Sequence, residues 1–563
     1  MRTRTRTRKQ RGITLMIGTM SLVFLVPMIG LGIDVGFMLA VKSKLQASMD
    51  GATLGAARAL NIGQTTAAQA VTAEGHAVNW FNANFPTGYF GTYNTAIDVN
   101  LGSAGKDAAG NGVFDDPVNP HLRHVHAYAS TTVDAFFMRW FGYTSTTIGV
   151  TSDATRRDAV IMLVLDRSGS MNTSGACPSL ISAAKLFTGQ FAAGRDYIGA
   201  VSFSDGTYVH SAPSTNFQTV LGYTNDGGSS AGQLDSIQCN GGTGTPQAIA
   251  VAYDALYKMN LPGALNILMI ETDGLPNTMT LNWWDNNNLN AGIVNGSNCT
   301  DMSGKKKSAG GFATKASLPN WTTGYTMTSS YYTSVPAGIV GALYSGDPWQ
   351  AAGGSYFAMM SSPWQAGANT GDNSIWVNGS APGCTFNGGF IWNSIGDLAW
   401  APLTDVYGNQ LNPGTNPYQG AVNTITSGGG TYLSLAGGGN NTTWTNYHHA
   451  VLNATDNAAY QARSNGTIST YNFVIGLGGN CTPSCTAAGR TGDPPDNVLL
   501  QRIANDPNGD LFNTPATYQP CSQEATCVNY SGQPQGTYIF SSDHTKLVQA
   551  FLSISSQILR LSR

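Results

Sequence analysis

The sequence predicts an α/β protein: a doubly wound parallel sheet that follows an N-terminal transmembrane helix and a small α+β module. Three observations carry this prediction. First, VIMLVLD from Val160, DYIGAVSF from Asp196, ALNILMIETD from Ala264 and TYNFVIGLG from Thr470 are short, continuously apolar runs. Each is too short for a stable helix and too apolar for a sheet with one wet face, which is the pattern of parallel strands covered on both sides. Second, helical patterns lie between and after them, at Leu180–Phe191, Pro246–Met259, Asp496–Ile503 and His544–Arg560. Alternating β and α segments wind most economically into one sheet with helices on both faces. Third, Ile13 to Ile33 is an uncharged apolar segment, which at about 1.5 Å per helical residue spans roughly 30 Å, one hydrocarbon core.

The elements follow in chain order. Residues 1–12 form a basic tail that holds six of the chain's 28 Lys and Arg. Residues 13–33 form the membrane helix. Only Lys42, Lys44 and Arg58 follow it closely, so the positive-inside bias places the N-terminus in the cytoplasm and the later domains in the periplasm or outside the cell. The segment is too long for a usual signal-peptide core and lacks a clear small-x-small cleavage site. The helical pattern continues beyond it through Val41, Leu45, Met49, Ala52 and Ala56. Asp34 stands where the helix leaves the bilayer and reads as an interfacial residue. Within the module at 34–157, HVHAYASTTVDAFF and TTIGVTSDA read as strands, and a long helix feeding a small sheet resembles a pilin-like α+β module. His124 and His126 share one strand face near His121, the pattern of surface histidines on a small sheet. The sheet domain then comprises 158–279 and 467–563. Residues 280–466 form a polar, aromatic, Gly-rich insertion that holds nine of the eleven Trp. That much aromatic surface predicts an irregular, partly β domain and not a solvated linker.

Composition limits function. The net charge is −3 and only 10% of residues are charged, so no basic field marks a nucleic-acid partner. The eight cysteines (Cys177, Cys239, Cys299, Cys384, Cys481, Cys485, Cys521 and Cys527) suit disulfides in an exported domain. CTPSC and CSQEATC lack the tight C-x2-C spacing of a zinc site. No triad context surrounds His210, His448, His449 or His544. The one G-x-S-x-G match, Gly228 to Gly232, follows a polar turn and not an apolar strand. These features predict a protein that is not an enzyme.

The chemistry lies at the carboxyl ends of the strands. DRSGSM delivers Asp166, Ser168 and Ser170 at the end of the first strand. GGTGTP places Thr243, with Thr245 as its rival, before a helix, and IETDG places Asp273 at the end of a later strand. In a doubly wound sheet these loops meet at one edge. Two carboxylates and three hydroxyls form a hard-oxygen set suited to Mg²⁺, with Mn²⁺ or Ca²⁺ as substitutes. An open coordination position favours an acidic ligand from a protein partner. Because Asp166 stands at a strand edge, Asp166→Ala is expected to leave the fold intact.

DRSGSM, GGT and TDG resemble the metal-ion-dependent adhesion site of von Willebrand factor A domains, and this resemblance implies the Rossmann-like fold and the five ligands. RGITLM onward, with Asp34, Gly36, Leu45, Gln46, Asp50, Ala52, Leu54 and Ala57, resembles TadG-like tight-adherence (Flp) pilus assembly proteins. RGITLM also resembles a prepilin cleavage site after Gly12, although Ile17 stands where prepilins carry glutamate. In the A-domain fold, Cys177 and Cys239 flank the same site and are expected to pair. Cys481–Cys485, Cys521–Cys527 and Cys299–Cys384 are pairings by proximity in sequence. The resemblances imply a single-pass component of a bacterial pilus system that binds protein through metal, with pilus components as partners. The alternative is an adhesin that binds carbohydrate through the Trp-rich insertion.

Overall fold

The computed structural model describes residues 9–60, 62, 66–99, 113–115, 121–204, 207–223, 231–239, 241–282, 294–295, 340–345, 357–360, 385–386, 400–401, 403–405, 408–413, 421–427, 430–434, 441–478, 495–508 and 532–562. The chain divides into two compact units, Met1–Arg157 and Asp158–Ser562.

In the first unit, α1 (Lys9–Ala59) is a single 51-residue helix. Its apolar first half is exposed from Leu15 to Ile33, except at half-buried Pro27 and at Gly30, which is buried. From Val41 onward the predicted stripe of Val41, Leu45, Met49, Ala52 and Ala56 is buried. It packs on α2 (Thr66–Asn84) through Ala70, Ala73 and Ala77, small residues that let the two helices approach closely. The sheet of this unit combines β1 (Tyr93–Asp98), β2 (Val113–Asp115), β3 (Leu122–Asp134) and β4 (Ser145–Arg157), with β3 at its centre and all pairings antiparallel. Burial alternates strictly along β3, as period-2 geometry requires. Val125, Ala127, Ala129 and Val133 face α1 and α2, while His124 and His126 share the other, half-buried face. Thr53 of α1 and Ser152 of β4 share a buried hydroxyl contact of 2.9 Å, which fixes the helix on the sheet.

The second unit is built on a six-stranded sheet. Its strands are β5 (Ala159–Asp166), β6 (Tyr197–Phe203), β7 (Thr207–Ser214), β8 (Leu265–Thr272), β17 (Tyr471–Leu477) and β18 (Tyr538–Ser541). The order is β18-β17-β8-β5-β6-β7, parallel except for the edge strand β7. The four predicted apolar runs are the four central strands. Each face is covered, as continuous burial along β5 demands. On one side Ile161, Leu163, Leu165, Ile267 and Met269 pack on α4 (Cys177–Thr188), α5 (Phe217–Leu221) and α9 (Leu547–Leu561). On the other, Val160, Met162, Val164, Leu268 and Ile270 pack on α6 (Thr245–Met259), α7 (Asn441–Ser464) and α8 (Asn497–Ala504). A short helix, α3 (Gly169–Thr173), follows β5 directly.

Residues 280–466 were expected to form a separate insertion, and part of that span belongs to the sheet domain. Leu452, Ala458, Ala459 and Ala462 of α7 lie in the same core as α6 and β5. The described strands before α7 pair only in small antiparallel groups. β9 (Thr278–Asn282) pairs with β11 (Val340–Ser345), which pairs with β12 (Phe357–Met360). β10 (Val294–Asn295) pairs with β13 (Thr385–Phe386). β16 (Gly430–Ser434) pairs with both β14 (Trp400–Ala401) and β15 (Thr424–Ser427). Most of the insertion's tryptophans lie outside the described residues.

Candidate metal centre

The site grows from the end of β5. Strand alternation carries Asp166 past the apolar run, and its carboxylate stays buried, not at an exposed strand edge as expected. Its Oδ1 accepts the Ser168 N–H at 2.8 Å, a side-chain-to-backbone turn that starts the loop into α3. Its Oδ2 accepts the Thr272 hydroxyl at 2.5 Å, so the carboxylate ties the ends of two neighbouring strands together.

The loop then presents two hydroxyls. Ser168 Oγ and Ser170 Oγ are 2.8 Å apart. Ser170 donates to Asp273 Oδ1 at 2.6 Å, and Ser168 approaches the same oxygen at 3.4 Å. Asp273 directly follows β8, which pairs with β5, and this pairing is what brings residues more than 100 apart in sequence into contact. Thr243 arrives from the loop before α6. A Cβ placed on Gly274 would lie 3.4 Å from Thr243 Oγ1 and 3.6 Å from Ser170 Oγ, so the two hydroxyls flank one glycine. The loops are locked by backbone contacts. The Gly169 N–H donates to the Gly241 carbonyl at 2.8 Å, and a Cβ on Gly169 would meet that oxygen at 3.2 Å. All five predicted residues are thus brought to one edge of the sheet. The rival Thr245 is the first residue of α6, and its buried hydroxyl has no hydrogen-bond partner.

Three participants escaped the sequence reading. Thr272 is the hydroxyl donor to Asp166. Asn277 accepts the Thr243 N–H at 2.7 Å and donates its own N–H back to the Thr243 carbonyl at 2.9 Å, a two-point clamp on the Thr243 loop. Glu271 is the third, and a charge inside the run ALNILMIETD was a visible signal for it. It is fully buried, and neither carboxyl oxygen has a hydrogen-bond partner of good geometry. Burial first, then the charges of Asp166 and Asp273, push its pKa well above the ordinary glutamate value, and the Asp166 backbone N–H offsets this only in part. Asp166 is also raised, by burial, against the hydrogen bonds it accepts. Acidic groups gathered in a low-dielectric edge favour a cation, and the hydroxyls supply neutral donors around it. Among the described residues, no three His, Cys, Asp or Glu side chains could hold a metal by themselves. The serine and threonine hydroxyls add neutral oxygens to the carboxylates of Asp166 and Asp273 at this edge, and Glu271 lies buried beside them.

A disulfide joins Cys177 and Cys239, with Cα atoms 6.1 Å apart, as expected. Cys177 opens α4 just beyond the Asp166 loop, and Cys239 precedes the Thr243 loop. Cys299, Cys384, Cys481, Cys485, Cys521 and Cys527 lie outside the described residues. The histidine of this unit nearest in sequence to the site chemistry is held elsewhere: His210 Nε2 lies 2.8 Å from Ser202 Oγ, and its Nδ1 lies 3.4 Å from Ser236 Oγ.

Comparison with known proteins finds two family segments. Residues 161–275 match the von Willebrand factor type A domain, and residues 12–59 match the Flp pilus-assembly TadE/G-like family. No curated protein matches the chain. Among solved structures, the chain is similar to the vWF domain of the type V pili tip protein Mfa5 from Porphyromonas gingivalis, at 13% identity over 73% of this chain and 98% of that one, with a TM-score of 0.31. It is similar to a point mutant of the PilB minor pilin from Streptococcus sanguinis, at 13% identity over 83% and 79%, with a TM-score of 0.30. It is also similar to the three N-terminal domains of Mfa5, at 15% identity over 33% of this chain, with a TM-score of 0.19. The chain spans 27% of that three-domain structure. The chain therefore carries a TadE/G-like N-terminal segment followed by a von Willebrand factor type A domain of Rossmann-like fold.

Proposed function

We propose that this is a membrane-anchored component of a tight-adherence pilus system that binds a protein partner through a divalent cation held by the A domain. The two family segments support the pilus setting. The exposed apolar half of α1 supports the anchor, because Leu15–Ile33 offers lipid-length hydrophobic surface that stays almost wholly open apart from the patch at Gly30. In this reading the basic tail stays in the cytoplasm and both units face the periplasm or the outside.

The observation that carries the metal is the convergence of Ser168, Ser170 and Asp273 within hydrogen-bond distance, beside Thr243 and the buried Asp166. These five residues would hold Mg²⁺, with Mn²⁺ or Ca²⁺ as substitutes, and some would act through water. When bound, the ion supplies positive charge to an acidic ligand from the partner. The residues' own role is to keep hard oxygens at fixed positions. Asp166 achieves this by bonding both loop and strand, and Asn277 by clamping Thr243. No chemical conversion is proposed.

The test is a set of thermal melts on the full chain in detergent, wild type and Asp273→Ala, with EDTA and with millimolar Mg²⁺. If the ion binds only the folded state, the wild-type Tm rises with its concentration, by about 2.7 kcal/mol of stabilisation at a hundredfold excess over Kd. Asp273→Ala should lose that rise. Equal melts in all four conditions, with no heat of Mg²⁺ or Mn²⁺ binding in calorimetry, would overturn the metal reading.

A further inference from the structure

The β3–β4 hairpin ends in the sequence AFFMRWFGYT, Ala135 to Thr144, and a short 3-10 turn occupies Met138–Phe141. This tip is unusual in two respects. It is strongly aromatic, and it is open: Trp140 is 87% exposed and Phe141 65%, with Phe136 and Tyr143 also exposed. It is nevertheless held firmly, and the holding residue is Asp34 of α1. The Asp34 carboxylate is buried beneath the tip and accepts the backbone N–H groups of Phe136, Phe137 and Met138 at 3.0, 2.9 and 2.7 Å. Met138 opens the turn and Phe137 is its N-cap, so a carboxylate from another element takes donors at the start of the turn, where intrahelical partners are lacking, together with the Phe136 N–H just before it. Two further contacts line up along the same helix stripe. Phe137 lies so close to Gly30 that a Cβ there would come within 2.5 Å of its ring, and Phe37 packs edge-on against Phe136 at 5.3 Å. Gly30, Asp34 and Phe37 recur at helical spacing, and they straddle the end of the apolar segment at Ile33.

A folded unit has no internal use for a rigid, exposed aromatic tip. We infer that the hairpin tip is a second membrane contact: Phe136, Trp140, Phe141 and Tyr143 seat in the interfacial layer of the leaflet from which α1 emerges. This rests on the reading of residues 13–33 as a membrane span. Three features select lipid as the occupant. The tip is fixed by Gly30 and Asp34 at the level where the apolar segment ends. The helix residues that flank Gly30 and Asp34 in sequence, Leu31, Ile33 and Val35, are themselves exposed and apolar. Its composition of Trp, Tyr, Phe and one Arg is that of the aromatic belt, where amphipathic rings sit among headgroups. A helix anchored alone is free to tilt and rotate, whereas a helix with a rigid side arm in the same interface presents its sheet at one orientation to the membrane.

The experiment places the photoreactive residue p-benzoylphenylalanine at one position at a time in the full chain. The protein is reconstituted into vesicles of phosphatidylethanolamine and phosphatidylglycerol that carry alkyne-tagged acyl chains. The positions are Trp140, Phe24 in the apolar half of α1, and Val71, an exposed apolar residue on α2. Lipid adducts are expected at Phe24 and Trp140, each roughly tenfold above Val71, as a lipid-facing site differs from a water-facing one. Adducts at Phe24 but not at Trp140 would overturn the proposal and leave the membrane span standing. Absence of adducts at Phe24 would overturn the span and the proposal with it. Capture of another protein or a second copy by position 140, in place of lipid, would also overturn it. In an Asp34→Ala background the yield at 140 should fall several-fold while the yield at 24 is unchanged, and an unchanged yield at 140 would show that Asp34 does not position the tip.

Discussion

Asp166 does two jobs at the scale of one side chain, and they pull in different directions. Its burial disfavours a charge, yet its two oxygens satisfy the Ser168 N–H and the Thr272 hydroxyl. From sequence, Asp166→Ala reads as harmless to the fold. The structure changes that expectation, because alanine removes the acceptor of the buried Ser168 N–H and leaves the Thr272 hydroxyl only the Gly274 carbonyl at 3.5 Å, and a buried donor without a good acceptor costs about 1–3 kcal/mol. Asp166→Asn keeps a carbonyl for the Ser168 N–H and an amide for the Thr272 hydroxyl. In metal-free buffer Asp166→Asn should therefore be more stable than Asp166→Ala, as measured by urea midpoints. The reverse order would mean that burying the amide costs more than its two hydrogen bonds return. His210 gives a pH signature at the same scale. Burial first, then the neighbouring charge of Arg167, lowers its pKa to about 3. The unfolded chain takes up a proton near 6.5 and the folded chain does not, so stability is full above that value. It is lost as pH falls towards 3, by at most about 1.4 kcal/mol per pH unit. His448, lowered to about 4 chiefly by burial, adds the same sign over a narrower window. Glu271 contributes the opposite slope above its unfolded value, so the comparison is made against a variant. His210→Gln should flatten the fall in Tm between pH 6.5 and 4.5, and parallel curves would show that His210 is not the titrating group.

Elements reveal what could be read from sequence and what could not. The four central strands were legible because burial on both faces leaves nearly unbroken apolar runs. The placement of Asp166, Ser168, Ser170, Thr243 and Asp273 at one sheet edge was legible because they lie in the loops and the short first helical turn that follow strand ends or precede a helix, where the fold requires a turn. β7 was not, since its sequence TYVHSAPS carries only the partial alternation of an edge strand with a proline in it. Nor was α7, whose place in the core is hidden by polar residues. Asn453 donates to the Leu411 carbonyl and Asn446 to the Asn423 and Ser434 carbonyls, so buried amides support a loop where a sequence scan sees only polarity. Thr272 and Asn277 were invisible for another reason: they act by holding neighbours, and no spacing rule marks such residues. Two predictions belong to this scale. Cys177 and Cys239 close a loop across 62 residues of sequence, and removing the bridge with Cys177→Ser and Cys239→Ser together should cost about 4 kcal/mol in the chain-entropy model. Chemical denaturation of the double variant measures this, and no loss would mean that the loop is ordered without the bond. Ala56 of α1 is fully buried in the small-residue packing with α2 and the sheet. Ala56→Leu should destabilise the first unit by about 1–3 kcal/mol through overpacking, seen as a lower unfolding midpoint for a probe placed in that unit.

For the whole molecule, orientation decides whether the rest is consistent. Six basic residues precede the apolar half of α1 and only three follow closely, and this asymmetry supports the proposed topology, with the tail in the cytoplasm and both units outside it. The outward direction has a chemical consequence. The Cys177–Cys239 bond forms and persists in an oxidising compartment and is disfavoured in the reducing cytoplasm. In the proposed function, the divalent cation and the acidic ligand of the partner would be met on that same side. Two independent readouts thus test one topology. Protease added to spheroplasts should digest the A domain while sparing an epitope placed ahead of Arg2. Alkylation of intact cells with a membrane-impermeant maleimide, before lysis and without reductant, should leave Cys177 and Cys239 unlabelled, with labelling appearing only after reduction. A protease-resistant A domain whose two cysteines label after permeabilisation without any reductant would place it in the cytoplasm. The charge asymmetry would then have to be overridden by sequence farther along the chain, and the surface role would fall, although the fold and the oxygen cluster at the sheet edge would stand unchanged.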